Sequence, residues 1–181
     1  LQAADDWETA THRIIAAARR LERGGAACVV ICSNTMHRMA SDVQHAVDIP
    51  LLHIASATGD AIARDHLHTV ALLGTRYTME SDFYKGRLIA DYDLTVLIPD
   101  DDGRETVHRI IYDELVRGVI TDESRRAYQA VIDQLQARGA QGVILGCTEI
   151  ELLISQPDHS PIPTYPTTYL HAVAAVEWAL G

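Results

Sequence analysis

The sequence predicts an α/β protein with parallel sheets and helices on both faces of each sheet. One observation is the alternation of strand-like and helix-like segments along most of the chain, which is the order of β-α-β units. Another is the apolar stretch at residues 143–145 between Gly142 and Gly146, which reads as a strand buried on both faces. Open α/β sheets bind ligands at the carboxyl ends of such strands. Cys147, directly after this strand, is therefore the first candidate for a functional residue.

The composition is that of a globular protein that does not bind polyanions. The chain has 181 residues, 48% of them apolar, so it can bury a core as one domain or two small ones. Its formal net charge of -10 disfavours nucleic acid and anionic membranes as partners. The longest apolar runs are far shorter than the ~20 residues that span a bilayer. Three cysteines, an odd number, favour free thiols in a reducing compartment, and we predict a cytoplasmic protein.

The first part of the chain predicts a helix, a strand and a second helix. Apolar residues recur at helical spacing over residues 5–22, with acidic residues early and arginines late, and Gly24-Gly25 end this helix. An apolar run over residues 27–32 predicts a strand. Serine, asparagine and threonine follow it, which are favoured helix caps, so the next helix is expected over residues 36–47.

The rest of the chain continues the alternation of short apolar runs and longer segments with helical spacing. The acidic run between Pro99 and Gly103 predicts a solvated turn, and Thr121 predicts a helix N-cap. Further strands are predicted over residues 51–54, 68–73, 94–98, 142–145 and 162–165. Further helices are predicted over residues 55–64, 77–91, 105–117, 122–138 and 167–180, with a short one ending near residue 154.

Cys147 stands where a predicted strand gives way to a predicted helix. A thiol at a helix N-terminus has its pKa lowered from ~8.5 by the helix dipole and by donated N–H groups, so it can act as a base or nucleophile near neutral pH. Thr148 and the first amides of the helix would hold an anion such as a carboxylate. A Gly-Cys-Thr tripeptide also forms plain strand-to-helix turns, and that alternative stays open on the local sequence alone.

An internal repeat adds a second candidate turn. Residues 23–35 match residues 138–149 with one residue of slack, which places Ser33 opposite Cys147. In this match Asn34 and Thr35 offer a second anion-binding turn at the start of a helix. Two such turns facing each other across a cleft would hold a small acid between two acid/base groups.

Several motifs in order resemble the aspartate/glutamate racemase family. They are CSNTMH at residues 32–37, LLGTRYTME at residues 72–80, DFYKGRL at residues 82–88, IIYDEL at residues 110–115 and GCTEI at residues 146–150. The resemblance implies two pseudo-symmetric Rossmann-like domains with parallel sheets and an active site in the cleft between them. It also implies a homodimer that racemises an acidic amino acid without pyridoxal phosphate, a metal or another cofactor. One residue removes the α-proton and another returns it from the opposite face.

The resemblance assigns roles to individual positions. Cys147 matches a catalytic cysteine, and Ser33 stands where a first catalytic cysteine usually precedes Asn-Thr. The matched substrate-contacting positions are Asn34, Thr35, Thr75, Thr148 and Glu149. Cys32 lies one place too early, and since a one-residue shift in a strand reverses the side-chain direction, we do not expect it to replace Ser33. A hydroxyl is a poorer base than a thiolate, so proton transfer on the Ser33 side should be slow, relayed by water or specific to one enantiomer.

The family resemblance also sets the expected domains and the alternatives. We expect domain one to contain residues 1–49 and 155–181 and to lack the family's opening strand-helix-strand segment, and domain two to contain residues 50–154. The preferred function is interconversion of L- and D-aspartate, glutamate or both. Alternatives are hydantoin racemisation, arylmalonate decarboxylation or maleate isomerisation on the same scaffold, or an impaired protein that only binds an acidic amino acid.

Overall fold

A computed structural model of the chain describes residues 5–155 and 159–181 and contains two parallel sheets. The smaller sheet pairs β1 (Val29–Val30) with β2 (Leu51–Leu52). The larger sheet has the order β4-β3-β5-β6 and every pairing in it is parallel. Its strands are β3 (Thr69–Gly74), β4 (Thr95–Leu97), β5 (Gly142–Gly146) and β6 (Thr164–Pro166). The predicted parallel α/β architecture is confirmed.

Helices surround these sheets and alternate with the strands along the chain. The α-helices are α1 (Trp7–Arg23), α2 (Ala40–Ala46), α3 (Ile54–Arg64), α4 (Arg76–Glu80), α5 (Asp82–Tyr92), α6 (Asp101–Asp113), α7 (Asp122–Ala137), α8 (Ile150–Leu153) and α9 (Thr167–Leu180). Two 3-10 helices cover Thr35–Met39 and Leu115–Arg117. Within the described ranges, no helix is both long and apolar enough to cross a membrane.

The core lies on both faces of the larger sheet, because alternate residues of each strand point to opposite sides. Ala71, Leu73, Val143 and Leu145 belong to one buried cluster, which also contains residues of α6 and α7. Val70, Leu72 and Ile144 belong to a second cluster with residues of α3 and α5. Full burial of each large aliphatic side chain contributes ~1.5–3 kcal/mol. These two layers therefore fix the carboxyl ends of β3 and β5 in place.

The carboxyl ends of β3 and β5 approach each other closely at two glycines. Gly74 lies opposite Gly146 in the sheet register. A Cβ atom added to Gly146 would stand 2.8 Å from the Leu73 carbonyl oxygen, and one added to Gly74 would stand 2.9 Å from the Gly146 carbonyl oxygen. Side chains at either position would force the strands apart just where Cys147 follows.

Several predicted element boundaries differ from those in the structure. The helix predicted over residues 77–91 is interrupted at Ser81, whose backbone is extended, so α4 and α5 are separate. The predicted acidic turn is instead the start of α6, with the Asp100 side chain accepting from the Gly103 N–H at 2.9 Å. The predicted helix over residues 36–47 begins as a 3-10 helix, and β1 is shorter than the apolar run.

The predicted cap of α7 is confirmed, and one strand pairs outside its predicted domain. Thr121 caps α7 as predicted, accepting from the Ser124 N–H at 3.1 Å. Residues 164–166, which the sequence placed in domain one, pair with β5 of the larger sheet. The domain boundaries themselves stay a prediction.

Candidate active site

A cleft of about 330 Å³ lies at the carboxyl ends of β1, β3 and β5. All seven residues predicted to form the site line it, and the cleft therefore brings together both turns of the internal repeat. Its lining residues are Cys32, Ser33, Asn34, Thr35, Thr75, Ile111, Tyr112, Val116, Gly146, Cys147, Thr148 and Glu149.

Cys147 is held in the cleft by the buried strand β5 and by the carboxylate that follows it. Its Sγ donates to Glu149 Oε2 at 3.0 Å, and the Thr148 hydroxyl donates to the same oxygen at 2.7 Å. Burial, followed by the hydrogen bond to Glu149 and the negative charge of that residue, raises the pKa of Cys147 to about 12. At neutral pH the thiol is protonated, so its resting form is a proton donor.

The expected lowering of the Cys147 pKa is therefore wrong for the free protein. The prediction assumed a helix starting at the thiol, but α8 covers only Ile150–Leu153, so there are few aligned peptide dipoles. Hydrogen bonds from backbone amides of Thr148 and Glu149 do favour the thiolate, but burial and the Glu149 carboxylate outweigh them. Desolvation in an apolar wall dominates the pKa of this thiol.

Glu149 keeps its charge beside the thiol. Burial raises the pKa of its carboxyl, but the hydrogen bonds donated by Cys147 and Thr148 outweigh that effect, and the net pKa is below the ordinary value. The pair thus rests as a neutral thiol and a carboxylate in direct contact. A proton can pass from Sγ to Oε2 without any movement of the backbone.

Ser33 reaches the cleft from the loop after β1. The Ser33 N–H donates to the Ile31 carbonyl at 2.8 Å, which turns the chain at Cys32, and the Met36 N–H reaches Ser33 Oγ at 3.5 Å. Because β1 ends at Val30, strand alternation does not govern this loop, and Cys32 also lines the cleft. Cys32 therefore lies outside the strand in which it was predicted, and strand direction does not keep it out of the cleft. All three cysteines, which are Cys28, Cys32 and Cys147, are free thiols.

A buried histidine supports the Ser33 loop from below. His37, only 2% exposed, donates from Nδ1 to the Ser33 carbonyl at 2.8 Å and accepts from the Ile54 N–H through Nε2 at 3.1 Å. Burial lowers the pKa of His37 to about 4, so the ring is neutral. Both ring nitrogens are occupied, and His37 cannot act as a base for the Ser33 hydroxyl. Its role in this site is to position the loop.

Asn34 lines the cleft and carries an unpaired, buried acceptor. Thr167 Oγ1 donates to the Leu145 carbonyl at 2.8 Å and must therefore accept from Asn34 Nδ2, 2.9 Å away. This chain of bonds fixes the amide orientation. Asn34 is 3% exposed, and its Oδ1 has no hydrogen-bond partner among the described residues. A buried orphan acceptor is costly, so the site favours a ligand that donates a hydrogen bond there.

Three threonine hydroxyls join the two halves of the cleft. Thr35 Oγ1 lies 3.1 Å from Thr75 Oγ1 and 3.1 Å from Thr78 Oγ1, and the latter two are 3.2 Å apart. Thr75 also caps α4 through the Thr78 N–H. Thr78 was missed as a site residue, although its spacing of three from a capping threonine is a signal that could have found it.

An apolar wall was also missed. Ile111, Tyr112 and Val116 line the cleft opposite the polar turns, and Tyr112 is 37% exposed. Ile111 and Tyr112 lie within the IIYDEL motif at residues 110–115, and Val116 follows it. The motif indicated the family resemblance but not that these side chains line the site. No lysine, arginine or histidine is among the described residues that line this cleft. An anionic group here would be bound by hydroxyls and amides.

The titratable side chains do not form a metal site in the part of the chain that the structure describes. Among residues 5–155 and 159–181, no group of three or more histidine, cysteine, aspartate or glutamate side chains is arranged to hold a metal ion. Hydroxyl, amide, thiol and carboxylate groups therefore account for the polar chemistry of the described cleft.

The chain is similar in sequence to a known family and to a known racemase. The Asp/Glu/Hydantoin racemase family model matches residues 1–175. The chain is 24% identical to the broad specificity amino-acid racemase RacX of Bacillus subtilis over 186 residues, which covers 97% of this chain and 75% of RacX.

Crystal structures give closer matches. A candidate Asp/Glu racemase from Yersinia pestis is 48% identical with a TM-score of 0.93, covering 100% of this chain and 78% of that one. An aspartate racemase homologue from Pyrococcus horikoshii OT3 is 32% identical with a TM-score of 0.86, covering 99% of this chain and 78% of that one. The fold and the arrangement of the two sheets match these structures.

Proposed function

The chain belongs to the Asp/Glu/hydantoin racemase family, and on that basis we propose that it is a cofactor-independent amino-acid racemase. It interconverts the L- and D-forms of aspartate, glutamate or both by 1,1-proton transfer. The observation that carries the proposal is the meeting of the Cys147 thiol and the Ser33 hydroxyl in one cleft, from the ends of two different sheets. Such a cleft can treat the two faces of one α-carbon differently.

Neutral donors and one orphan acceptor bind the amino acid. The hydroxyls of Thr35, Thr75 and Thr148 donate to carboxylate oxygens once they give up their present bonds to one another, to Thr78 and to Glu149. Asn34 Oδ1, which lacks a partner among the described residues, accepts from the substrate ammonium. Filling this acceptor removes the cost of a buried unsatisfied group and orients the α-carbon. The ammonium also places a positive charge in the cleft, which lowers the cost of a thiolate there.

Cys147 and Glu149 act together on one face of the substrate. Once the ammonium is bound, the thiol proton moves to Glu149 Oε2, 3.0 Å away, and the thiolate removes the α-proton. Cys147 thereby becomes a thiol again, and the carbanion is left with its carboxylate held by neutral donors. Glu149 is thus a proton acceptor in the proposal and not only a substrate contact.

Ser33 completes the reaction on the other face. Its hydroxyl gives a proton to the carbanion, and a water molecule carries the proton from Glu149 back to the serine oxygen, so that protons balance over one turnover. The reverse direction needs Ser33 as the base, and a hydroxyl is a weak one. We therefore propose faster proton removal on the Cys147 face than on the Ser33 face.

The same cleft leaves two further candidates for the test to decide. A sister reaction, such as hydantoin racemisation, arylmalonate decarboxylation or maleate isomerisation, is favoured by the apolar wall of Ile111, Tyr112 and Val116. A binding protein without turnover is favoured by the high resting pKa of Cys147. We also retain the proposals of a cytoplasmic homodimer that binds neither nucleic acid nor membranes, on the basis of its net charge of -10 and the family resemblance.

The deciding experiment is incubation of L-aspartate and L-glutamate with the protein in D2O, followed by chiral separation and mass spectrometry. Deuterium in the D-product is the expected result and means proton transfer on two faces. Deuterium only in recovered L-substrate would mean that Cys147 exchanges protons alone. Calorimetric binding without any exchange would favour a binding protein. L-leucine and maleate run in parallel test whether the apolar wall selects another substrate.

A further inference from the structure

A second cavity, of about 410 Å³, lies next to the catalytic cleft and shares no lining residue with it. The 3-10 helix region separates the two, because Ser33, Asn34 and Thr35 line the cleft whereas His37 and Arg38 line the second cavity. Pockets of ~300–1,000 Å³ are the usual size for small ligands. We name this space the arginine cavity; its lining is His37, Arg38, Ala40, Ser41, Gln44, His45, Leu51, His53, Phe83 and Arg87.

We propose that the arginine cavity binds a small organic anion. Its lining includes two arginines, Arg38 and Arg87, and no aspartate or glutamate is among the described residues that line it. The lining therefore carries positive side chains and no carboxylate, although Asp91, outside the lining, pairs with Arg87 Nε. This distribution is opposite to that of the catalytic cleft, whose charged lining residue is Glu149.

Arg38 is arranged to receive such an anion. Its guanidinium carbon lies 4.7 Å from the centroid of the Trp7 ring, which is a cation–π contact. The guanidinium forms no ion pair with any described residue. A guanidinium already held by such a contact loses less freedom when it binds a carboxylate or phosphate.

Arg87 is held by one nitrogen and keeps the others available. Its Nε donates to Ser56 Oγ at 2.9 Å and lies 3.3 Å from Asp91 Oδ2. No hydrogen bond to a described residue uses its two terminal amino groups. The positive charge of Arg87 also contributes to lowering the pKa of His37 and of His53. The charge therefore acts on two residues that line the arginine cavity.

His53 adds a neutral donor of fixed tautomer. Its Nδ1 accepts from the Ala55 N–H at 3.1 Å as the cap of α3. Burial lowers the pKa of His53 to about 3, so the ring is neutral and its remaining proton must be on Nε2. Nε2 has no hydrogen-bond partner within the described residues. An anion bound between Arg38 and Arg87 can accept from it.

The rest of the wall indicates that the ligand is organic. Ala40, Leu51 and Phe83 contribute apolar surface to the cavity. A free inorganic anion would leave that surface wet, whereas a carboxylate or phosphate attached to an apolar body would cover it. The ligand class is thus a small molecule with one anionic group and one aromatic or aliphatic part. His37 lies between this ligand and the Ser33 carbonyl that it supports, so the site adjoins the catalytic loop.

Phenyl phosphate is the probe for this proposal, since it combines the two features, and phenol is its uncharged counterpart. Titration calorimetry of the intact protein is expected to detect one phenyl phosphate per chain and no binding of phenol. Arg38→Gln and Arg87→Gln should each weaken binding by at least about tenfold, since each removes a charge-assisted hydrogen bond. Using two variants guards against loss of fold in one, which a thermal unfolding curve detects.

Two control variants separate this site from other causes. Arg126→Gln removes an exposed arginine of α7 outside the cavity and should leave the affinity unchanged. Thr148→Ala alters the catalytic cleft and should also leave it unchanged. The proposal is overturned if the wild-type protein does not bind phenyl phosphate, if Thr148→Ala abolishes binding while Arg87→Gln does not, or if all three arginine variants weaken binding equally.

Discussion

The ends of β5 and β1 carry the same local pattern of an apolar strand followed by a polar turn, yet their surroundings differ. β5 is five residues long, fully buried and paired on both sides, by β3 and β6. β1 is two residues long and pairs with β2. Cys147 is therefore enclosed with a carboxylate, whereas Ser33 lies on a loop that a neutral histidine supports.

This difference indicates a division of labour between the two sides. On the β5 side, desolvation and Glu149 control the protonation of a reactive atom. On the β1 side, His37, Asn34 and Thr35 control position, since their hydrogen bonds tie the Ser33 loop to α3, α9 and α4. Variants on the β5 side and on the β1 side can test whether chemistry and positioning are separated in this way.

The largest expected effect is that of Cys147→Ala on α-proton exchange. Removing the acid/base group should lower exchange in D2O by ~10³-fold, within the range typical of general acid–base catalysis. Cys28→Ala, which removes a thiol outside the cleft, is the matched control and should exchange at the wild-type rate. Unchanged exchange in Cys147→Ala would end the assignment of chemistry to the β5 side.

Ser33→Ala is the counterpart on the other side and should behave differently. Deuterium should still enter recovered L-substrate through Cys147, whereas the yield of deuterated D-product should fall by ~10²-fold. Ser33→Cys should raise the D-product above the wild-type level, because a thiol gives up its proton to the carbanion more readily than a hydroxyl does. Equal loss of both signals in Ser33→Ala would mean that Ser33 is not confined to one face.

Acid should destabilise the β1 side. His37 has a pKa of about 4 in the folded chain against 6.5 when unperturbed, so the unfolded chain binds a proton that the folded chain excludes. Stability is therefore fully present above pH 6.5 and is lost as pH falls towards 4, by on the order of 3 kcal/mol. Urea unfolding at pH 7 and pH 4.5 measures it.

The matched control for the acid prediction is His12→Gln, which removes an exposed histidine of α1 and should keep the same pH dependence. For Cys147, on the β5 side, the pH dependence of stability has the opposite sign. The Cys147 pKa is raised from 9.0 to about 12, so its contribution to stability is present below pH 9 and is lost as the pH rises beyond it. A chain equally stable at pH 4.5 and pH 7 would contradict the buried, neutral state of His37.

Glu149→Gln should have a smaller effect, and it acts on the thiol in two opposite ways. Loss of the negative charge lowers the pKa of Cys147, so alkylation by iodoacetamide at pH 8 should be faster by about tenfold, one pKa unit. Exchange of the α-proton should nevertheless slow, because the thiol proton has lost its acceptor. Asp113→Asn, a charge removal outside the cleft, should change neither rate. Slower alkylation in Glu149→Gln would show that the carboxylate does not hold the thiol protonated.

The smallest expected effect is that of Thr78→Val on the link between the two sides. It removes one of three mutually bonded hydroxyls, while Thr35 and Thr75 still bond to each other. We expect a loss of about 1 kcal/mol in unfolding free energy, the net value of one hydrogen bond. Thr106→Val, a partly exposed threonine of α6, is the control. An effect confined to exchange and not to stability would place Thr78 in the chemistry.

The order of the elements and the location of the cleft could be predicted from the sequence because both depend on local patterns. Short apolar runs and helical spacing give the alternation of strands and helices, and ligand sites lie at the carboxyl ends of parallel strands, which is where Ser33 and Cys147 each stand. The internal repeat and the family resemblance predicted that these two ends, which belong to different sheets, face one cleft. Gly74 and Gly146 mark the close approach of β3 and β5 at that edge.

The interruption at Ser81 could not be predicted, because apolar spacing continues across it. The sequence by itself determined which groups meet: a thiol, a hydroxyl, an amide and several threonines at the ends of parallel strands.

Only the tertiary structure decided their protonation and orientation. The pKa of Cys147 depends on how deeply β5 is buried and on a carboxylate 3.0 Å away, and neither is a property of the Gly-Cys-Thr motif. The direction of the Asn34 amide depends on Thr167, 133 residues along the chain. Desolvation and hydrogen-bond partners are long-range consequences of packing, so the same motif carries different chemistry in different surroundings.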